Sequence, residues 1–267
     1  MDSDQFFKGF KSGIGFLTTL PAGWDEKGFD VFFSHIYFFV LIGTVIGVIL
    51  GVLGLIFQWL IPAPLIPALV IAAIYLLTGI NHLDGLSDFG DGLIASGTKE
   101  KKITAMKDVH AGAGGILFIG MDLLLLYAAI SMFVGMGGFY LFAGLIIAEV
   151  CAKVCLTTAA AFGKSLPSGM GKTLIDRTKK DHYMIGLAFA VAVCIVVVGF
   201  AAAPWFRPLY ALIGFLAVSV SVALGFFLAD VAERNFGGVN GDVMGAANEI
   251  GRIAALVVMG ILIWKLW

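Results

Sequence analysis

Between Asn81 and Leu93 the chain reads NHLDGLSDFGDGL, with three aspartates, a histidine and no basic residue before Lys99. In a helix, a rotation of about 100° per residue would set Asp84, Asp88 and Asp91 within an arc of roughly 60°. Leu86, Phe89 and Leu93 fall on the other side with His82, so the segment reads as an amphipathic helix carrying an acidic stripe. Carboxylates four residues apart repel each other. Oxygen donors in this pattern suit Mg²⁺, which keeps several waters and bridges one or two carboxylates to substrate phosphates. Gly85, Gly90 and Gly92 leave the flank of the stripe low, so that a bulky diphosphate has room to approach. A solvated helix face would mix lysines among the acids, and an EF-hand would need a glutamate where Ala95 stands.

Other polar groups are candidates for the same site. In ADVAERNFGGVNGDVMGAANEIGR, Asp242 and Glu249 lie two helical turns apart and read as a second wall, although NGD also suits a turn and helix cap. KDVHAGAGGI supplies Lys107, Asp108 and His110 ahead of a glycine-rich helix entry, the kind of entry that offers backbone N–H groups to phosphate. SGMGKTL departs from a nucleotide P-loop because Leu166 stands where glycine is required, and it leaves a basic loop, Lys172 included, that would attract an anion. Glu149 and Lys153 are spaced to pair, with Lys153 reaching a substrate phosphate as the sharper alternative. Asp122 reads as a snorkelling acid near a span's end.

The elements that must hold these groups are membrane helices. Of 267 residues 60% are hydrophobic and 13% charged, and mean hydropathy is +1.00. A soluble domain has about a quarter of its residues charged. Seven apolar runs approach the length that crosses a bilayer, near 37–60, 65–80, 114–134, 139–162, 184–203, 209–229 and 253–267, the second and last being short. Barrel-like alternation is absent from the sequence. IPAP, GMGG and PWFRP make tight connections, whereas the segments before 37 and near 81–113, 163–183 and 230–252 are long and charged. Outside those long segments the basic residues are Lys153, Arg207 and Lys265, so the positive-inside rule puts the amino terminus and the acidic stripe in the cytoplasm. Nothing near the start resembles a cleavable signal peptide. Cys151, Cys155 and Cys194 lie inside spans and match no metal framework. A net charge of −1 argues against nucleic acid as a partner. The expectation is one integral membrane domain over 1–267: an all-α polytopic transmembrane bundle of about seven spans with cytoplasmic interfacial helices.

HLDGLSDFGDGL at 82–93, with FLTTLP at 16–21, KDVHAGAGG at 107–115 and GGVNGDVMGAANEIG near the end, resembles the adenosylcobinamide-GDP ribazoletransferases, or cobalamin synthases. Ser87 stands where that family often has alanine. The resemblance implies a multi-pass enzyme of the cell membrane that joins adenosylcobinamide-GDP to α-ribazole, or to its 5′-phosphate, with release of GMP and dependence on Mg²⁺. It implies Asp84, Asp88 and Asp91 as metal ligands and, with Asp108, as the catalytic acids. His82, Lys107, Lys153, Lys172, Asp242 and Glu249 are then expected to bind substrate. The implied partners are the two substrates and the lipid bilayer, and a homo-oligomer is admitted. Rival readings are a CDP-alcohol phosphotransferase, whose pattern lacks its arginine after DFGDGLIAS, an aromatic prenyltransferase, and a transporter, which would carry its ionisable groups near the bilayer midplane.

Overall fold

The structure is a computed structural model that describes residues 1–23, 25–167, 169–201 and 208–266. Two short helices, α1 (Ser3–Leu17) and α2 (Glu26–Ser34), precede the long α3 (Tyr37–Leu60). A 3₁₀ turn at Ala63–Leu65 leads into α4 (Ile66–Thr78), α5 (Asn81–Ile94) and α6 (Lys99–Met106). Then come α7 (Ala113–Met136), α8 (Gly138–Phe162), α9 (Met170–Arg177), α10 (Lys180–Ala201), α11 (Pro208–Phe236) and α12 (Gly241–Leu266). Among the described residues the one β feature is an isolated bridge between Ser165 and Val239.

Six of these helices, α3, α7, α8, α10, α11 and α12, are long and apolar enough to cross a membrane. Helix α8 is the central staff, buried almost continuously from Leu141 to Ala160. Glycines let α3 lie against it. A side-chain carbon at Gly47 would fall 2.6 Å from the Cα of Ile146, and one at Gly43 2.9 Å from the carbonyl oxygen of Glu149. Lipid tails provide no hydrophobic drive for helix association, so close backbone packing of this kind carries it.

The expected span at 65–80 is shorter than a full crossing. Helix α4 has 13 residues, about 20 Å at 1.5 Å per residue. It stops at Gly79, whose φ of +71° suits glycine. Helix α5 then leaves at 98° and packs on the opening turns of α12 and α7, at the end of the bundle. Among the described residues the count is six spans, or seven if the bent pair is one span. Thr19 of FLTTLP secures the break, its N–H donating to the Leu77 carbonyl at 2.8 Å and its hydroxyl to that of Leu76 at 2.7 Å.

The last span departs further from expectation, because it begins at Gly241 rather than near 253. The segment NGDVMGAANE is its amino-terminal part, and Asn248, Glu249 and Arg252 are buried in the bundle, where other helices pair their polar groups. The PWFRP turn with Arg207 lies outside the described residues, apart from Pro208.

The short helices gather at one end. Lys99 and Lys102 of α6 donate to the Glu233 carbonyl and the Asn235 side chain at the close of α11. Arg177, the last residue of α9, meets Asp30 of α2 at 2.6 Å. His182, opening α10, contacts the Ser34 carbonyl. At the other end Gln58 of α3 donates to the Val134 carbonyl of α7.

Candidate active site

Two backbones that nearly touch set the position of α5. A side-chain carbon at Gly85 would lie 3.0 Å from both the Cα and the carbonyl oxygen of Asp242. One at Gly245 would lie 3.0 Å from the His82 carbonyl oxygen. The absence of side chains at these two positions lets α5 and α12 cross closely and brings Asp242 beside the acidic stripe. Asn240 caps α12, its side-chain oxygen accepting from the Val243 N–H at 3.0 Å. Its amide donates to Asp242 Oδ2 at 2.7 Å.

The stripe is helical, as its spacing implies, but its three acids are used differently. Asp84 and Asp88 line a polar cavity of about 400 Å³ together with Ser87, Lys107, Asp108, Val109 and Ala111. The Asp88 carboxyl is pushed up to about 7, first by partial burial and then by the charges of Asp242, Asp84 and Asp91. Asp91 points elsewhere. Its Oδ2 accepts from the Gly112 N–H at 2.7 Å and its Oδ1 from the Gly115 N–H at 2.9 Å. It thus satisfies the free donors that open α7, and it lines neither cavity at this end. The glycines after His110 therefore leave room for a protein carboxylate.

Asp108 reaches the polar cavity from the loop before α7. Its Oδ1 accepts from the His110 backbone N–H at 2.9 Å and contacts the His110 ring at 3.1 Å. These hydrogen bonds hold its carboxyl below the usual range. Lys107 adds a cation on the same wall.

A second cavity, about 340 Å³, shares Asp84 with the first. Its polar edge is Asn81, His82, Asp84 and Asp242; its body is Phe16, Phe33, Phe39, Leu156, Leu174 and Met244. The Nδ1 atom of His82 is buried without a hydrogen-bond partner. Burial holds the imidazole well below its ordinary range, and the charges of Lys153 and Arg252 act in the same direction. Nothing in sequence spacing signals this cavity, because α1, α2, α8, α9 and α12 each contribute one or a few residues to it.

Beneath α5 lies a buried polar network that holds several expected site residues. Lys153 is 0% and Glu249 1% exposed, and neither lines a cavity of the site. Lys153 donates to Asn248 Oδ1 at 2.5 Å, and the Asn248 amide donates to Glu249 Oε1 at 2.9 Å. Glu149 pairs with Arg252 at 2.6 Å rather than with Lys153, and Arg252 also binds Glu249. Asp122 does not snorkel: it is 4% exposed, and the Tyr75 hydroxyl stands 3.1 Å from both Asp122 Oδ2 and Glu249 Oε2. Lys153 and Glu249, expected to bind substrate, thus lie in this network and not on the wall of either cavity. Lys172 pairs with Asp176 on α9 and lines neither cavity. The three cysteines are free and buried, as expected of small apolar side chains.

The donors facing the polar cavity are oxygens, which suit a hard divalent cation. Among the described residues no three acids, histidines or cysteines are placed to hold an ion by themselves. Mg²⁺ fits such a site because it takes one or two carboxylates and completes its shell with water and substrate phosphate.

A family model described as cobalamin-5-phosphate synthase matches residues 9–260, a range that includes every group of the site. The chain is 51% identical to an adenosylcobinamide-GDP ribazoletransferase of Methanocella arvoryzae, over 97% of this chain and 98% of the relative. It is 37% identical to the protein of that name from Methanosarcina mazei, over 97% and 93% of the two chains. With the one from Methanosarcina barkeri the identity is 36%, over 97% and 94%. No solved structure matches it.

Proposed function

The chain belongs to the cobalamin-5-phosphate synthase family, and from that premise we propose that it joins adenosylcobinamide-GDP to α-ribazole with release of GMP. The observation that carries the reading is the polar cavity, where Asp84, Asp88 and Asp108 gather with Lys107 inside the matched region. A hydroxyl oxygen of the ribose forms a bond to the phosphorus attached to cobinamide. The bond from that phosphorus to the bridging oxygen of the diphosphate breaks, and its electron pair leaves with GMP. α-Ribazole 5′-phosphate would react in the same way and retain its phosphate.

Asp84 and Asp88 would hold Mg²⁺, which supplies positive charge to the diphosphate and its leaving oxygen. Lys107 adds attraction for the anionic donor from the facing wall. The hydroxyl proton passes to a carboxylate, and Asp242 is our choice because it lines the neighbouring cavity and not the polar one. Asp91 serves the site by fixing the start of α7 beside the stripe.

The end that carries α5, α6 and α9 faces the cytoplasm in this reading. It bears most of the loop lysines and arginines, which tend to stay on that side. Both substrates are polar and reach it from the cytosol. A transporter fits less well, because the acids of the polar cavity sit at one end of the bundle.

The test is GMP release by protein purified in detergent and supplied with both substrates, with Mg²⁺ or with a chelator. Release that needs both substrates and stops with chelator is expected. Release from adenosylcobinamide-GDP alone would make the protein a hydrolase instead.

A further inference from the structure

We propose that the aromatic-walled cavity beside Asp84 seats the flat base of the nucleoside acceptor, so that donor and acceptor approach each other from opposite sides of that residue. The proposal rests on the transferase reading above and adds to it where each substrate lies. Asp84 is the residue common to the two cavities. A group-transfer site needs such a meeting point, where the nucleophile of one pocket faces the phosphorus of the other.

The chemistry of the walls assigns the occupants. Phe16, Phe33 and Phe39 give the cavity an aromatic, apolar wall against which a bicyclic aromatic base packs. The volume, about 340 Å³, is at the small end of the range for ligand pockets, roughly 300–1,000 Å³. A corrin macrocycle with its amide side chains does not fit there. Guanine would fit by size, but seated among Phe16, Phe33 and Phe39 it could pair its ring N–H, amino group and carbonyl only by taking the polar edge that the sugar needs, and any of them left unpaired is costly. The base of α-ribazole is a benzimidazole whose N–H position carries the ribose, so it has no ring N–H to leave unpaired.

The polar edge of the cavity suits the rest of the acceptor. The unpartnered, buried Nδ1 of His82 awaits a polar atom of the nucleoside. Asp242 and Asp84 stand where a sugar would emerge toward the polar cavity. Thus His82 and the phenylalanines orient the nucleoside, and the carboxylates meet its reacting hydroxyl.

Met170→Trp and Phe16→Ala test the seat. Both side chains line the cavity, and at 65% and 36% exposed they are replaced without emptying the core. Each variant should raise KM for α-ribazole at least fivefold and leave KM for adenosylcobinamide-GDP within twofold. 1-Methylbenzimidazole, a benzimidazole without the N–H, should inhibit the unaltered protein competitively against α-ribazole and not against the donor. A rise confined to the donor, an equal rise in both constants, or competition between 1-methylbenzimidazole and the donor would overturn the assignment. Equilibrium dialysis of α-ribazole against unaltered protein and Met170→Trp separates the two failures. Weakened binding by the variant, with no GMP release by either protein, would leave the seat and remove the reaction. Equal binding would remove the seat whether or not GMP is released.

Discussion

Gly85 of α5 and Gly245 of α12 pack backbone against backbone, and a side-chain carbon at Gly85 would come to 3.3 Å from the Cα of Gly245. The crossing determines how far Asp242 stands from Asp84 and Asp88. Gly85→Ala would force the new methyl against the Asp242 backbone, which cannot rotate away, so α5 must lift. Lifting by a fraction of an ångström is tolerable for the fold but costly for reacting geometry, where a 1 Å misplacement is worth about a hundredfold in rate. Turnover should fall at least tenfold with a monodisperse elution profile in detergent. Full activity in Gly85→Ala would mean that the α5–α12 distance does not matter to the chemistry.

The three acids of the stripe should separate on substitution. Asp84→Asn and Asp88→Asn keep shape and remove charge from the polar cavity, and each is expected to lose at least a hundredfold in turnover with little change in thermal midpoint. Asp91→Asn weakens the cap on α7, because an amide can accept from only one of the two N–H groups with its oxygen. Loss of a helix cap costs about 1 kcal/mol, so this variant should melt earlier and retain more activity than the other two. The comparison is made by thermal shift and GMP release on the same preparations. Equal loss of turnover in all three without a stability difference would return Asp91 to the reacting centre.

The helical class, the long apolar segments and the acidic stripe were legible in the sequence because hydropathy and helical periodicity are local properties. What Asp91 touches was not, since its partners are backbone N–H groups more than twenty positions ahead. Glu149 and Lys153 carry ideal spacing for a pair, yet Arg252 from α12 takes the glutamate, and only packing shows this. Apolar length alone ended the last span at the polar residues 242–252, although buried hydrogen bonds make those residues part of it. FLTTLP gave no reason for its threonines until Thr19 was seen to close the carboxyl end of α4. The aromatic cavity was illegible for the same reason, being assembled from several helices.

Lys153→Met tests whether the buried network supports the site or touches substrate. The change removes a cation hydrogen-bonded to Asn248 and leaves Glu149, Glu249 and Asp122 with Arg252 as their nearby cation. Removing one partner from a buried ionic cluster costs about 3–5 kcal/mol. A clear drop in thermal midpoint is expected, while the folded fraction keeps KM values for both substrates within twofold. A tenfold rise in the donor's KM at unchanged midpoint would show a phosphate contact instead.

Lys107 and Lys172 make the last comparison, because both lie in cationic loops and only one lines a cavity. Lys107 faces the polar cavity across from Asp84 and Asp88, where the donor's diphosphate would bring negative charge. Lys172 is engaged with Asp176 along α9. Lys107→Ala should therefore raise the donor's KM about fivefold at low salt and leave the acceptor's unchanged. Exposed charges are screened over a Debye length of about 8 Å near physiological ionic strength and about 3 Å at 1 M. The gap between Lys107→Ala and unaltered protein should accordingly narrow as salt rises. Lys172→Ala should change either constant by less than twofold at any salt. The reverse pattern, in which Lys172→Ala weakens donor binding and Lys107→Ala does not, would place the diphosphate on the α9 side of Asp84.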